Sequence, residues 1–365
     1  MSPGIQQGGD SVKFARDSRG RGARVRLAAA GLTVASVAAG GVAMASGGAT
    51  ASVRHSSGYP WADINVGLAL SPPKVIFMGP YVAQAEGYFA REHLRVHFIS
   101  MPNGLQTELG TTAGTINFGL SSATDAIESA AANAPIHAVA SYGTTLDTVC
   151  VAAPGIKSAK QLIGQPVGST GTDGFSETTL AACLSPAGVT IGQTKPITMT
   201  RSEFVPALET GRIKAAVFHA DDAYVILHAL KGATVLDRQY ETVPNWWYGG
   251  ITVLDSYAKH HVQVTERFLT ALTLANRWMN NTKNTSKLIA IGVKNTQEDV
   301  GAVAYAVHFL QQAKTWPNGL GLSQSSEYYT AKRLKTLKEI DRIPSYSQVV
   351  DATYMKAVIA KLGNS

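Results

Sequence analysis

The chain has 365 residues, 45% of them hydrophobic and 16% charged. That is enough apolar material to bury a core in two lobes of roughly 100 to 200 residues each, and too much for a disordered chain. The formal charge of +7 overstates the basicity of the folded part, because residues 1–45 hold six basic and two acidic residues and leave the remainder at +3. No run of Lys and Arg interleaved with aromatics stands out, which excludes a nucleic-acid surface. No His/Cys spacing suggests a metal site, and no cofactor is expected. Five arginines and a lysine crowd Lys13 to Arg26, followed by an uncharged stretch from Leu27 to Ala45 that ends in Ala43-Met44-Ala45. This is the layout of a secretory signal peptide; an uncleaved membrane anchor is the alternative, and both place the rest outside the cytoplasm. The apolar run is not followed by a lipoprotein cysteine, and Arg24 and Arg26 are not adjacent as a twin-arginine signal requires.

Residues 46–60, rich in Ser, Gly and Ala, read as a flexible leader, with folded structure starting near Trp61. Strand-like and helix-like runs then alternate: Ile64–Leu70 and Tyr81–Glu92, Val96–Ser100 and Leu105–Ala113, Ile116–Leu120 and Thr124–Asn133. Two apolar runs with little helix between them, Ile136–Tyr142 and Thr148–Ala153, predict a crossing into a second unit. There the alternation restarts with Pro166–Ser169, Ser176–Leu184, Ile197–Thr200, Phe204–Thr210, Ala215–Phe218 and Tyr224–Leu230. After Val235 and the group Trp246-Trp247-Tyr248, the run Gly249–Leu254 reads as a return strand. The rest is helical, with Phe268, Leu272, Ala275 and Met279 spaced as the buried stripe of one helix. The expected architecture is α/β: two lobes, each a mainly parallel sheet flanked by helices, with a helical C-terminal tail. Residues 61–145 plus 250–365 would form the first lobe and 146–249 the second. Cys150 and Cys183 fall in the second lobe, and an even cysteine count in an exported protein favours a disulfide over two buried thiols.

Several phrases resemble the type 2 periplasmic binding proteins of ABC importers, in the branch serving nitrate, taurine, aliphatic sulfonates and thiamine-type pyrimidines. They are Pro80–Phe89 (PYVAQAEGYF) with the following Val96–Ile99, Ile116–Asp125 (INFGLSSATD), Leu162–Ser169, Ala207–Val217 and Gly249–Val253, in family order across nearly all of residues 63–281. His93 stands where many relatives have Gly, and the chain after about Asn295 matches no phrase of the family. The resemblance implies an exported, monomeric carrier that closes two lobes on a small-molecule ligand and delivers it to a membrane permease.

In open α/β sheets ligands bind beyond the carboxyl ends of the strands, near helix N-termini. The loops that follow the strands supply the candidate ligand-binding residues: Ser71, Asn103, Ser121 and Ser122 in the first lobe, and Ser169, Thr170, Thr172, His219 and Asp221 in the second. Trp247 is added as a ring for the cleft, because neighbouring strand residues face opposite ways. Asp125, Asp173 and Asp222 can be read equally as helix caps, and His219 as a strand-end histidine without function. The candidate loops carry four aspartates but only Lys74 among the bases, so a neutral or weakly cationic nitrogen heterocycle, such as a thiamine-type pyrimidine, is favoured over a sulfonate, taurine or nitrate. An exported enzyme on the same fold is a further alternative. Against it, no nucleophile elbow is present, and the cysteine-rich motif of fungal pyrimidine synthases is missing.

Overall fold

The computed structural model describes residues 58–171 and 174–363. The signal-peptide reading of 1–45, the leader up to residue 57, and the candidates Thr172 and Asp173 lie outside the described residues. Ten strands are present: β1 Ala62–Leu68, β2 Leu94–Ser100, β3 Phe118–Ser122, β4 Ile136–Gly143, β5 Val149–Ala152, β6 Pro166–Ser169, β7 Lys195–Thr198, β8 Ala215–Phe218, β9 Thr234–Arg238 and β10 Gly249–Leu254. They form two five-stranded sheets, ordered β2-β1-β3-β10-β4 and β7-β6-β8-β5-β9.

Strand direction explains the topology. In the first sheet β1 is parallel to β2 and β3, while β10 is antiparallel to both β3 and β4, so β10 alone runs against the rest. In the second, β6 is parallel to β7 and β8, while β5 is antiparallel to both β8 and β9, so β5 alone is reversed. The reversed strand in each sheet is the one through which the chain arrives from the other. Strand-helix-strand units otherwise return the chain in one direction, so both sheets are mainly parallel.

The apolar cluster of the first lobe reaches the second at Ala182 and Ala220, and the second lobe holds two further clusters of its own. In the first, the helix Val262–Asn280 buries Phe268, Leu272, Ala275 and Met279, and Phe268 stacks on Phe118 at 4.1 Å. In the second, Cys150 on β5 is bonded to Cys183 on the helix Phe175–Leu184, with the two Cα atoms 6.3 Å apart. The bond ties a cleft-facing helix to the strand that enters its sheet. His93 sits at φ +51°, a left-handed conformation that explains why glycine suits this position in relatives. Its ring stacks on Trp61 at 5.2 Å.

The C-terminal helices extend beyond the first lobe. Helix Val300–Gln312 packs on helix Ala220–Ala229 of the second. The tail also braces both connections between the lobes: the Thr144 amide donates to the Thr315 carbonyl at 2.9 Å, and the Trp247 amide to Thr330 Oγ1 at 2.9 Å. Two details differ from the sequence reading. The edge strand β9 forms around Val235, which reads as a passing residue because it lacks a clear alternation. Tyr81–Glu92 divides into helices Met78–Ala85 and Tyr88–Arg91. Among the described residues, no helix is long and apolar enough to cross a membrane.

Candidate functional site

Between the lobes lies a cleft of about 560 Å³ including its mouth. Residues following β1, β2 and β3, with Tyr142 of β4, line one side, and residues following β6, β7 and β8 the other. The wall is strongly aromatic. Phe175 from the second lobe stacks on Tyr248 at 5.6 Å and on His219 at 6.3 Å, while Tyr142 tilts against Tyr248 at 5.8 Å and Phe77 against Tyr142 at 5.1 Å. Gly249 makes this possible: a Cβ there would meet the Tyr142 ring at 2.3 Å, so a side chain at the start of β10 would push that ring away.

Asp125 is the carboxylate of the cleft. It sits in the first turn of helix Ala123–Ala131 and closes a capping box, accepting the Ser122 amide at 3.1 Å while its own amide donates to Ser122 Oγ at 3.2 Å. Asn103-Gly104 brings backbone so close that a Cβ on Gly104 would fall 1.9 Å from Asp125 Oδ2. Across the cleft, a Cβ on Gly174 would lie 3.2 Å from Asp125 Oδ1, and the Phe175 amide also donates to this carboxylate. Burial raises the Asp125 carboxyl to about 6, against the pull of its bonds from Ser122 and Phe175. The aspartate is thus both a cap and a group presented to the cleft.

A second polar group is built on His219. Asp147 Oδ1 accepts from Tyr248 Oη at 2.6 Å and lies 3.0 Å from His219 Nδ1, and His219 Nδ1 lies 3.0 Å from Tyr248 Oη. Burial works against the Asp147 anion, yet the His219 charge and the bonds from His219 and Tyr248 hold its carboxyl below the usual range. His219 Nε2 is buried and has no hydrogen-bond partner among the described residues. Arg201, on the short turn after β7, also lines the cleft. Its Nη1 donates to the Val217 carbonyl at 2.6 Å and its Nε is unpartnered. Desolvation lowers its pKa while nearby carboxylates oppose the shift.

Of the residues named from sequence, Asn103, Ser122, Thr170 and His219 come together on this cleft. Thr172 is outside the described residues, and the remaining five lie elsewhere. Ser71 lines a separate cavity with Lys74, Asp222 and Glu298. Ser121 is buried and donates to Glu108. Ser169 turns its hydroxyl onto the Gly171 carbonyl at 2.7 Å, closing its own loop. Asp221 accepts the Val75 amide at 3.3 Å, a contact across the lobe junction. Trp247 is buried with Nε1 on Ser141 Oγ at 3.1 Å, and Tyr248 takes the cleft position instead. The strand parity argument misplaces the ring because β10 begins only at Gly249, one residue later. Lys74 is consumed by Asp222 at 2.6 Å and by Glu298, so the base facing the cleft is Arg201. Nothing in the sequence marks Arg201 apart from its place after a strand.

Two mainly parallel sheets joined by a pair of reversed strands, with a cleft at their carboxyl ends, define the two-lobed fold of periplasmic binding proteins. The model of the NMT1/THI5-like family matches residues 75–284, more than half of the chain, and the protein belongs to that family. Solved structures share the fold at low identity. The ligand-binding component of an ABC-type import system from Staphylococcus aureus superposes with a TM-score of 0.68 at 14% identity, covering 81% of this chain and 98% of that one. The periplasmic nitrate-binding protein of Synechocystis gives 0.69 at 9%, covering 83% and 89%. The periplasmic aliphatic sulphonate-binding protein of Escherichia coli gives 0.61 at 17%, covering 79% and 92%. No curated protein sequence matches significantly.

Proposed function

We propose that the protein is an exported solute-binding protein that captures a flat nitrogen heterocycle, of the thiamine-pyrimidine kind, between its lobes and delivers it as a monomer to the permease of an ABC importer. The carrier role is supported by the family, by the fold shared with import-system components, and by a cleft in which each lobe supplies part of the wall. The observation that carries the ligand class is the pairing of a stacked aromatic wall, Phe175 with Tyr248, with the Asp125 carboxylate. Rings of this kind hold a planar ligand by its faces, and a buried carboxylate accepts from an amino group at its edge. Catalysis is not favoured: His219 is bonded to Asp147 and Tyr248, and among the described residues no serine bonds to it.

Arg201 supports a second reading. A buried guanidinium with a free Nε is suited to a sulfonate or nitrate. Calorimetry with 4-amino-5-hydroxymethyl-2-methylpyrimidine, taurine and nitrate separates the two. The first reading expects the pyrimidine to bind and Asp125→Asn to weaken it about tenfold or more, the cost of a lost charge-assisted bond. Tight taurine or nitrate binding, abolished by Arg201→Gln and untouched by Asp125→Asn, transfers the assignment to an anion.

A further inference from the structure

The Asp147–His219–Tyr248 cluster joins three segments with different duties. Asp147 lies on the connection from β4 to β5, and Tyr248 on the connection that ends at β10. These are the two passages of the chain between the lobes. His219 follows β8 and lines the cleft. The Tyr248 hydroxyl donates to Asp147 at 2.6 Å, so the two passages are bonded directly to each other. The imidazole bridges onto both partners at 3.0 Å through Nδ1. All three residues are buried, with His219 and Asp147 each 2% exposed.

The proton positions follow from the partners. The Tyr248 hydroxyl donates to the Asp147 carboxylate, which carries no proton of its own to give, so the bond between Asp147 and Nδ1 requires a proton on Nδ1. With Nδ1 carrying the proton, the neutral form of the imidazole presents a bare lone pair at Nε2. That atom is buried and has no partner among the described residues, and an acceptor left dry in this way is unfavourable. A ligand N–H or O–H in the plane of the imidazole satisfies it.

We propose that His219 Nε2 is the contact by which the cleft recognises a hydrogen-bond donor on its ligand, and that through Asp147 and Tyr248 this contact stiffens both passages between the lobes, so that occupancy is transmitted to the hinge. The ligand class rests on the heterocycle reading above; the link from His219 to the hinge stands on the hydrogen-bond geometry. An imidazole held at one nitrogen by the hinge and at the other by the ligand cannot rotate without breaking one set of bonds. A ligand without a donor leaves Nε2 dry and gives the hinge no additional restraint.

Two measurements test this. In the ligand-free wild type, nitrogen NMR of the labelled imidazole is expected to show His219 neutral with its proton on Nδ1; a proton on Nε2, or an imidazolium at neutral pH, overturns the proposal whatever the ligand proves to be. Hydrogen exchange is then followed at residues 144–148 and 243–248 with saturating 4-amino-5-hydroxymethyl-2-methylpyrimidine. Exchange in both passages is expected to slow at least about fivefold in the wild type, and this slowing is lost in Tyr248→Phe and His219→Gln. Slowing that persists in Tyr248→Phe overturns the coupling, as does slowing in only one passage. If neither the pyrimidine nor taurine binds the wild type, the heterocycle reading fails and the imidazole spectrum alone decides this inference.

Discussion

Lys74, just past the first strand, places its ammonium 2.6 Å from Asp222 Oδ1 in the second lobe, and it is paired as well with Glu298 of the tail. One buried cation therefore ties together the three parts that meet at the lobe junction. Desolvation opposes the charge on Lys74, but Asp221, Asp222 and Glu298 overcome it and raise its pKa. Removing the cation leaves Asp222 buried and uncompensated, so Lys74→Met is expected to cost about 3–5 kcal/mol in urea unfolding. Glu298 is more exposed, and Glu298→Gln is expected to cost about 1 kcal/mol or less. Equal losses for the two changes would show that the junction is not organised around Lys74.

The bond between Cys150 and Cys183 closes a sequence separation of 33 residues. The chain-entropy estimate for such a loop is on the order of 3–4 kcal/mol. Reduction, or Cys183→Ala, is expected to lower the unfolding free energy by about that amount, and thiol titration of the unreduced, unfolded protein is expected to find no free thiol. Two titratable thiols would refute the pairing.

Buried carboxyls set the pH dependence. Burial raises Glu108 to about 8, against hydrogen bonds from Ser121 and Thr252, raises Glu327 to about 7, and raises Asp125 to about 6. Each holds its proton more tightly folded than unfolded, so its contribution is fully present below the ordinary carboxyl value of about 4 and is lost as pH rises through the folded value. Melting temperature is expected to fall between about pH 5 and about pH 8, and Glu108→Gln, which keeps the amide in place of the neutral acid, is expected to flatten the upper part of that decline. A melting temperature that climbs over this range would contradict the assignment of these protonation states.

The strands were legible wherever an apolar run is bounded by turn residues: Pro166–Ser169, Ala215–Phe218 and Gly249–Leu254 read from sequence as they stand in the structure. The site was less so, for two physical reasons. Capping and ligand contact use the same residue types at the same helix ends, so Asp125 and Asp221 look alike until the structure places one on the cleft and the other against the Val75 amide. Side-chain direction depends on where a strand begins, and Trp246, Trp247 and Tyr248 precede β10, where alternation does not apply. Arg201 carries no local signal, and Phe175 ends a candidate loop without marking itself as its aromatic wall. They reach the cleft only because β6 and β7 end there, which is a property of sheet order.

The central claim, solute capture by closure of two lobes, is tested most directly by small-angle X-ray scattering of the purified protein with and without saturating 4-amino-5-hydroxymethyl-2-methylpyrimidine, with melting temperature recorded on the same samples. A smaller radius of gyration together with a higher melting temperature in the presence of the pyrimidine is the expected result. Unchanged radius and unchanged melting temperature with the pyrimidine, and equally with taurine and nitrate, would contradict it.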